Sequence, residues 1–260
     1  MQVSIIVPVF NSSKILPELV ERIYKEMKNS NLIENFELIL INDYSLDDSW
    51  NVIKEISKKY SFLKGINLSE NFGQHNAIMA GLNNSKGNKI ITIDDDLQHP
   101  PEFISEILKK LDTCEVCYTN YKNRKHAGWK RAVSSINNIV SSFLLNKPLK
   151  IYMSSFRGIN KIIVNDIVKF KEPDVYIDGL IIKYAKKIDM INVNHNQRKL
   201  GESNYTVKKL LILWSSMIIN FSVLPFRASS IFGLILKIII RIFRKKSLKP
   251  QYKIIEIIKR

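Results

Sequence analysis

The sequence predicts an α/β fold with a doubly wound, mainly parallel sheet, and three observations carry that reading. Short β-branched apolar runs recur at 2–10, 36–42, 62–67 and 89–93. Helix-forming stretches of roughly 10–15 residues separate them, the alternation expected of βαβ units. Polar clusters stand where three of the runs end: Asn11, Asn42–Asp43 and Asp94–Asp95–Asp96. In doubly wound sheets, ligands bind outside the carboxyl ends of the strands, so these clusters mark the candidate site.

The elements follow in order. Gln2–Phe10, a short β-branched apolar run, reads as a buried strand; Met1–Phe10 (MQVSIIVPVF) has no basic start and Pro8 interrupts it, so it does not read as a signal peptide. Ser12 and Ser13 can cap a helix from about Lys14 to Asn29, with Pro17 in its first turn. Phe36–Asn42 (FELILIN) is a second strand, and a helix beginning within Ser45–Asp48 runs to about Lys59. A third strand at Phe62–Asn67 precedes a helix at Phe72–Asn83. A fourth at Lys89–Ile93 precedes one opened by Pro100 and Pro101 and reaching about Leu111. The segment EVCYTNY reads as a further strand. Cys117 lies in it and Cys114 just before it, and the pair lacks the strand-then-helix setting of a redox motif and the second half of a zinc site. They read as reduced core thiols. Beyond about Ile159 the pattern is looser, and Tyr176–Leu180 (YIDGL) reads either as a turn with Gly179 at its tip or as pocket lining.

Charge divides the chain. The net charge is +16. The segment 207–260 carries 8 Lys, 4 Arg and one acid, Glu256, so most of the basic excess lies there. Its apolar stretches, Leu210–Leu224 and Ala228–Phe243, are 15 and 16 residues long, against the ~20 that a membrane span requires. We therefore expect 1–206 to form the α/β domain. We expect 207–260 to form amphipathic, membrane-associated helices, with Lys237 and Arg241 snorkelling and Arg244, Lys245, Lys246 and Lys249 at anionic headgroups. Basic residues interleaved with Ile and Leu instead of exposed aromatics disfavour nucleic acid as a partner.

The sharpest motif is IITIDDDLQHPPE, Ile90–Glu102. Carboxylates at alternate positions, Asp94 and Asp96, can converge on one hard cation, with Gln98 adding a neutral oxygen. Mg²⁺ or Mn²⁺ held in this way keeps positions open for phosphate oxygens, which suits a diphosphate leaving group. Three carboxylates at one strand end are expected to repel one another without a cation. An EF-hand fits poorly, because its sixth and twelfth positions would be His99 and Ser105. Of the histidines, His99 reads as a helix-start residue before a metal ligand. His75 is open between a substrate contact and a capping role, and His126 and His195 read as surface residues.

DDDLQHPPE resembles the DADLQHPPE motif of family 2 glycosyltransferases of the dolichol-phosphate-mannose-synthase-like, polyprenyl-phosphate type. SIIVPVFN, ILINDYSLDDS, LSENFGQHNAIMAGL, RKLGESNYTVKKL and NFSVLPFR are similar to further segments of that family in the same order, over about residues 3–230. The resemblance implies a GT-A-like fold and inverting transfer of a sugar from a nucleotide-sugar to a polyprenyl phosphate at the cytoplasmic membrane face. A lipid-linked or other saccharide is the alternative acceptor, and an inactive membrane-binding scaffold is the reading from another class. It implies a donor site of Pro8, Phe10, Asn42, Asp43, Asp94 and Asp95, and a metal site of Asp94, Asp96 and Gln98. It makes Asp96 and Arg198 the catalytic pair and places Arg124, Arg131, Arg198 and Ser203 at phosphate. Asn42 stands where the family has an acid, Phe10 and Ser12 where it often has Tyr and Glu, and SSFRGIN lacks the acid that often precedes SGFRL. An anionic acceptor needs no general base. For a hydroxyl acceptor the candidates are Asp95, Asp178 and Glu202. Homo-oligomerisation is left open.

Overall fold

The computed structural model describes residues 2–121, 142, 151–173, 175–193 and 250–259. Among them, eight strands form one sheet in the order β7-β5-β6-β4-β1-β2-β3-β8. β1 (Val3–Val9), β2 (Phe36–Asn42), β3 (Leu63–Leu68) and β4 (Lys89–Thr92) make its parallel centre. Every residue of β1 and β2 is buried, as expected of strands covered on both faces. The chain is thus the predicted α/β fold with a mostly parallel sheet.

Strand alternation sorts the core into two layers. Val3, Ile5, Val7 and Val9 of β1 face α1 (Leu16–Asn29), α2 (Ser49–Lys59) and α4 (Ile104–Lys110), while Ile6 faces α3 (Gln74–Asn83), α5 (Lys161–Ile167) and α6 (Ile177–Tyr184). α1 buries Leu16, Leu19, Val20, Ile23 and Met27, one stripe at helical spacing. Each such side chain contributes about 1.5–3 kcal/mol when fully withdrawn from water. The helix ends at Asn29 and is capped at Ser30, and Asn31 just beyond takes the left-handed conformation (φ 56°) that a short polar side chain tolerates.

β1, β2 and β3 step outward in one direction, and β4 then returns to the other side of β1. The crevice between the ends of β1 and β4 is therefore the switch point where doubly wound sheets take ligands.

Several expectations are corrected. Ser12 and Ser13 do not cap α1 with their side chains: the Ser12 carbonyl accepts the Ile15 and Leu16 N–H groups, and its hydroxyl is committed to Asp95. The described residues between Ile159 and Val193 are regular, comprising α5, α6 and β7 (Ile188–Val193), with β6 (Arg157–Asn160) antiparallel to both β4 and β5 (Val116–Tyr121). These elements are too short for periodicity to register. Tyr176–Leu180 is no turn. It enters α6, which Ile177, Leu180 and Ile181 pin to the core, so Gly179 lies inside a helix. Within 207–260, residues Ile254–Lys259 are not helical but form β8, antiparallel to β3, where Trp50 Nε1 donates to Glu256 Oε2 at 3.0 Å. A β-branched run completes the free edge of β3 better than it lies on a surface. Residues 207–249 lie outside the described residues. Cys114 and Cys117 are buried and free, as expected.

Candidate active site

Each of the four central strands is followed, directly or in the next segment, by a residue with positive φ. Asn11 (φ 56°) follows β1, Tyr44 (φ 59°) follows β2, Gly73 (φ 87°) lies in the segment after β3, and Leu97 (φ 58°) follows β4. Left-handed conformations at non-glycine residues cost free energy and gather where the surrounding structure over-determines a site. Here they turn four loops into one rim.

The three aspartates after β4 diverge. The Asp95 carboxylate turns toward β1, where Oδ2 accepts the Phe10 N–H at 2.9 Å and the Ser12 hydroxyl at 2.6 Å. Burial pushes its carboxyl up to about 6; the Ser12 and Phe10 donors pull it down, and neighbouring Asp94 and Asp96 push it further up. The expected repulsion among three carboxylates is thus partly relieved by protein donors. Asp94 Oδ1 accepts Gln74 Nε2–H at 2.7 Å, and Oδ2 accepts the Ser155 hydroxyl at 2.5 Å. His99 Nδ1 lies 3.6 Å from Asp94 Oδ2, and its ring stacks on Phe156. Asp96 is buried, and its Oδ1 accepts the main-chain N–H of Gln98 at 3.1 Å.

No group of three or more His, Cys, Asp and Glu side chains that could hold a metal ion occurs among the described residues. The oxygen donors at Asp94 and Asp96 are of the type Mg²⁺ or Mn²⁺ accepts, and they leave most coordination positions to ligands from outside the chain.

Toward β2 the rim is zipped together. Asn11 N–H donates to Ser45 Oγ, Asn11 Oδ1 accepts the Leu46 N–H, and Ser13 N–H donates to Asp47 Oδ2. Pro8 sits in register with Ile41 inside the sheet, and the Phe10 side chain is 38% exposed at its edge. Asn42 is buried; its Nδ2 donates to Asn67 Oδ1 at 2.8 Å and its Oδ1 accepts the Ser45 N–H at 3.3 Å. Asp43 accepts the N–H groups of Phe72 and Gly73, one on each carboxylate oxygen, at 2.8 and 2.9 Å. Pro8, Phe10, Asn42, Asp43, Asp94, Asp95 and Asp96 therefore gather at one end of the sheet. Arg124, Arg131, Arg198, Glu202, Ser203, His126 and His195 lie outside the described residues.

Beneath this rim lies a buried polar cluster. Arg157 pairs with Asp178, and the Tyr118 hydroxyl donates to the same Asp178 oxygen at 2.8 Å. Asp178, one of the candidate bases for a hydroxyl acceptor, is thus held in a buried ion pair. His75 Nδ1 accepts the Ile177 N–H at 3.5 Å and its ring meets Tyr176 edge-on, so burial drives its pKa down to about 4. Sequence reasoning did not single out Gln74, Ser155 or Arg157, although all three stand in the NFGQ and SSFRG segments. Nothing in spacing said that they converge on Asp94 and Asp178.

Comparison with known proteins agrees with this architecture. The model of the family described as Glycosyl transferase family 2 matches residues 4–168. Undecaprenyl-phosphate 4-deoxy-4-formamido-L-arabinose transferase of Proteus mirabilis (strain HI4320) is 30% identical over 239 residues, covering 91% of this chain and 73% of that protein. The enzyme of that name from Pseudomonas savastanoi pv. phaseolicola (strain 1448A / Race 6) is 32% identical, covering 89% and 68%. Among solved structures, glucosyl-3-phosphoglycerate synthase from Mycobacterium tuberculosis, in complex with Mn²⁺, uridine diphosphate and phosphoglyceric acid, superposes with a TM-score of 0.61 at 15% identity. That match covers 84% of this chain and 77% of that one, and it speaks to the GT-A-like fold alone. With the fold, the acidic switch point and these matches together, the chain belongs to glycosyl transferase family 2 and is a glycosyltransferase.

Proposed function

We propose that this enzyme transfers a sugar from a nucleotide-sugar to a polyprenyl phosphate, inverting the anomeric carbon, at the cytoplasmic face of a membrane. The observation that carries the reading is the pair Asp94 and Asp96 at the switch point, beside the ends of β1 and β2. The acceptor class follows from the relatives, which are named for undecaprenyl phosphate. Membrane contact rests on the basic, apolar composition of 207–249. No helix among the described residues is long and apolar enough to cross a membrane.

Asp94 and Asp96, with Gln98, are the residues that would hold Mg²⁺ or Mn²⁺, and the bound ion would neutralise charge on the departing diphosphate. Mn²⁺ is present with the nucleotide in the structural neighbour. Pro8, Phe10, Asn42 and Asp43 line the end that would receive the nucleoside, and Asp95 ties that end to the metal end through Phe10 and Ser12. Arg198 and Ser203, with Arg124 and Arg131, are assigned to donor and acceptor phosphate. A lipid phosphate arrives ionised, so attack needs no general base.

The test is turnover of UDP-, GDP- and dTDP-sugars with Mg²⁺ or Mn²⁺, with and without undecaprenyl phosphate, and with Asp96→Asn as control. Transfer to the lipid phosphate that a chelator abolishes and the variant lacks is the expected result. Donor turnover indifferent to the lipid phosphate would move the acceptor to a saccharide hydroxyl. Absence of both binding and turnover of every donor would overturn the assignment.

A further inference from the structure

Two large hydrophobic side chains stand exposed in the loop after β2: Tyr44 at 49% and Leu46 at 82%. The donor and metal assignments use neither of them. Their loop is nevertheless firmly held. Asn11 Oδ1 accepts the Leu46 N–H at 2.8 Å, Ser45 Oγ accepts the Asn11 N–H at 3.0 Å, and Asp47 Oδ2 accepts the Ser13 N–H at 2.9 Å. Tyr44 itself is fixed at φ 59°, a conformation that a bulky side chain rarely adopts. The neighbouring carboxylates of Asp47 and Asp48 accept the Ser49 hydroxyl and Asn51 Nδ2–H. The main chain of the loop is thus tied to the loop after β1, while its two large apolar side chains face outward.

Strand directions supply a second observation. β6 is antiparallel to β4 and β5, and β7 is parallel to β5, so β7 runs with the central strands and ends at their carboxyl end. β8 is antiparallel to β3 and therefore starts at that end, where the Lys253 carbonyl accepts the Ser69 N–H at 2.9 Å. Residues 194–249 lie outside the described residues, but the chain leaves the sheet at Val193 and returns at Lys253 on the end that carries Tyr44 and Leu46. The two points lie at opposite edges of the sheet, roughly 30 Å apart at about 4.8 Å per strand spacing. Between Val207 and Lys249 the sequence has basic and apolar residues and no acid, a composition suited to an anionic lipid surface.

We propose that Tyr44 and Leu46 are a membrane anchor at the mouth of the crevice. The pair enters the interfacial layer of an anionic bilayer and turns the carboxyl end of the sheet toward the headgroups. Tyr suits the headgroup level, where its ring is sheltered and its hydroxyl stays wet, and Leu suits the boundary of the acyl chains. An acceptor phosphate carried in the headgroup layer would then face the crevice between β1 and β4. The anchor presupposes the membrane contact proposed above, but not the identity of donor or acceptor.

The experiment uses the full chain and vesicles of phosphatidylcholine with phosphatidylglycerol. Ile162 is the internal control: it is 73% exposed, but it lies at the opposite end of the sheet, where the Lys161 N–H donates to the carbonyl of Asn88 just before β4. In one arm, an environment-sensitive fluorophore is attached through Leu46→Cys or Ile162→Cys. The native Cys114 and Cys117 are buried, which directs the label to the introduced thiol. Lipids carrying a shallow spin-label quencher are expected to quench the fluorophore at position 46 and to leave the one at position 162 unchanged. In the other arm, Tyr44→Ser combined with Leu46→Ser is expected to weaken vesicle partitioning by about tenfold, the factor expected from withdrawing one large apolar side chain from water. Ile162→Ser should partition as the wild type does.

Vesicle binding without quenching at position 46, or with equal quenching at both positions, would overturn the anchor and leave the membrane reading standing. A double serine variant that partitions like the wild type but shows a raised donor KM would assign the pair to the donor site and reject the proposal. Failure of the wild type to bind vesicles at all would reject the membrane reading and the anchor with it, whereas sugar transfer is decided separately by the turnover assay.

Discussion

The Ser12 hydroxyl donates to Asp95 Oδ2 at 2.6 Å across 83 residues of sequence, joining the loop after β1 to the acidic end of β4. Together with the Phe10 N–H it draws the middle aspartate of the DDD run away from Asp94 and Asp96. Replacing Ser12 by Ala leaves Asp95 with one donor in a desolvated position. We expect a loss of about 1–2 kcal/mol in chemical denaturation, the typical cost of removing one partner from a buried acceptor. Turnover should fall by about tenfold as the acidic end loses its fixed geometry.

Gly73 opens α3 at φ 87° and ψ 156°, a region essentially reserved for glycine. A Cβ there would meet nothing within 4 Å, so any cost of Gly73→Ala is conformational and not steric. Destabilisation of about 1–3 kcal/mol is expected. A thermal midpoint unchanged from wild type would show that the segment takes another conformation in solution.

His75 is held neutral by burial, with the Arg157 charge acting in the same direction and Asp178 opposing it. Its folded-state pKa of about 4 lies below the reference value of 6.5. Stability is therefore fully present above 6.5 and is lost as the pH falls from 6.5 toward 4, because the unfolded chain takes up the proton first. Over that window the wild type should lose about 2–3 kcal/mol more than His75→Gln in urea titrations. Parallel profiles for the two proteins would contradict the buried setting of the ring.

Arg157 and Asp178 form a buried ion pair between β6 and α6, with the Tyr118 hydroxyl on the same carboxylate oxygen. Arg157→Met leaves an uncompensated buried carboxylate and should cost about 3–5 kcal/mol. The double change Arg157→Met with Asp178→Leu should be less damaging than the single one, since it removes both charges. A double variant as unstable as the sum of its singles would show that the two groups do not interact.

The four central strands were legible in the sequence to within one residue or so, because a strand buried on both faces needs a continuous apolar run and little else can produce one. The acidic end of β4 was legible for a similar reason: three aspartates after such a run cannot be core. The short elements after Ile159 escaped, since four to eight residues carry no measurable period. The last strand escaped because Ile254–Lys259 follows a long apolar, basic stretch whose composition points to a membrane surface.

Alone, then, the sequence determined the fold class, the end of the sheet that carries the chemistry and the residue types available there. Only the tertiary structure decided how those residues are used. Asp95 turns to Ser12, Asp43 turns to the Phe72 and Gly73 amides, and Asp94 is held by Gln74 and Ser155. Periodicity reports which face of one element is buried. The partner of a polar side chain depends on loops brought together from 20 to more than 80 residues away, and that distance is set by strand order and crossover, which no local pattern encodes.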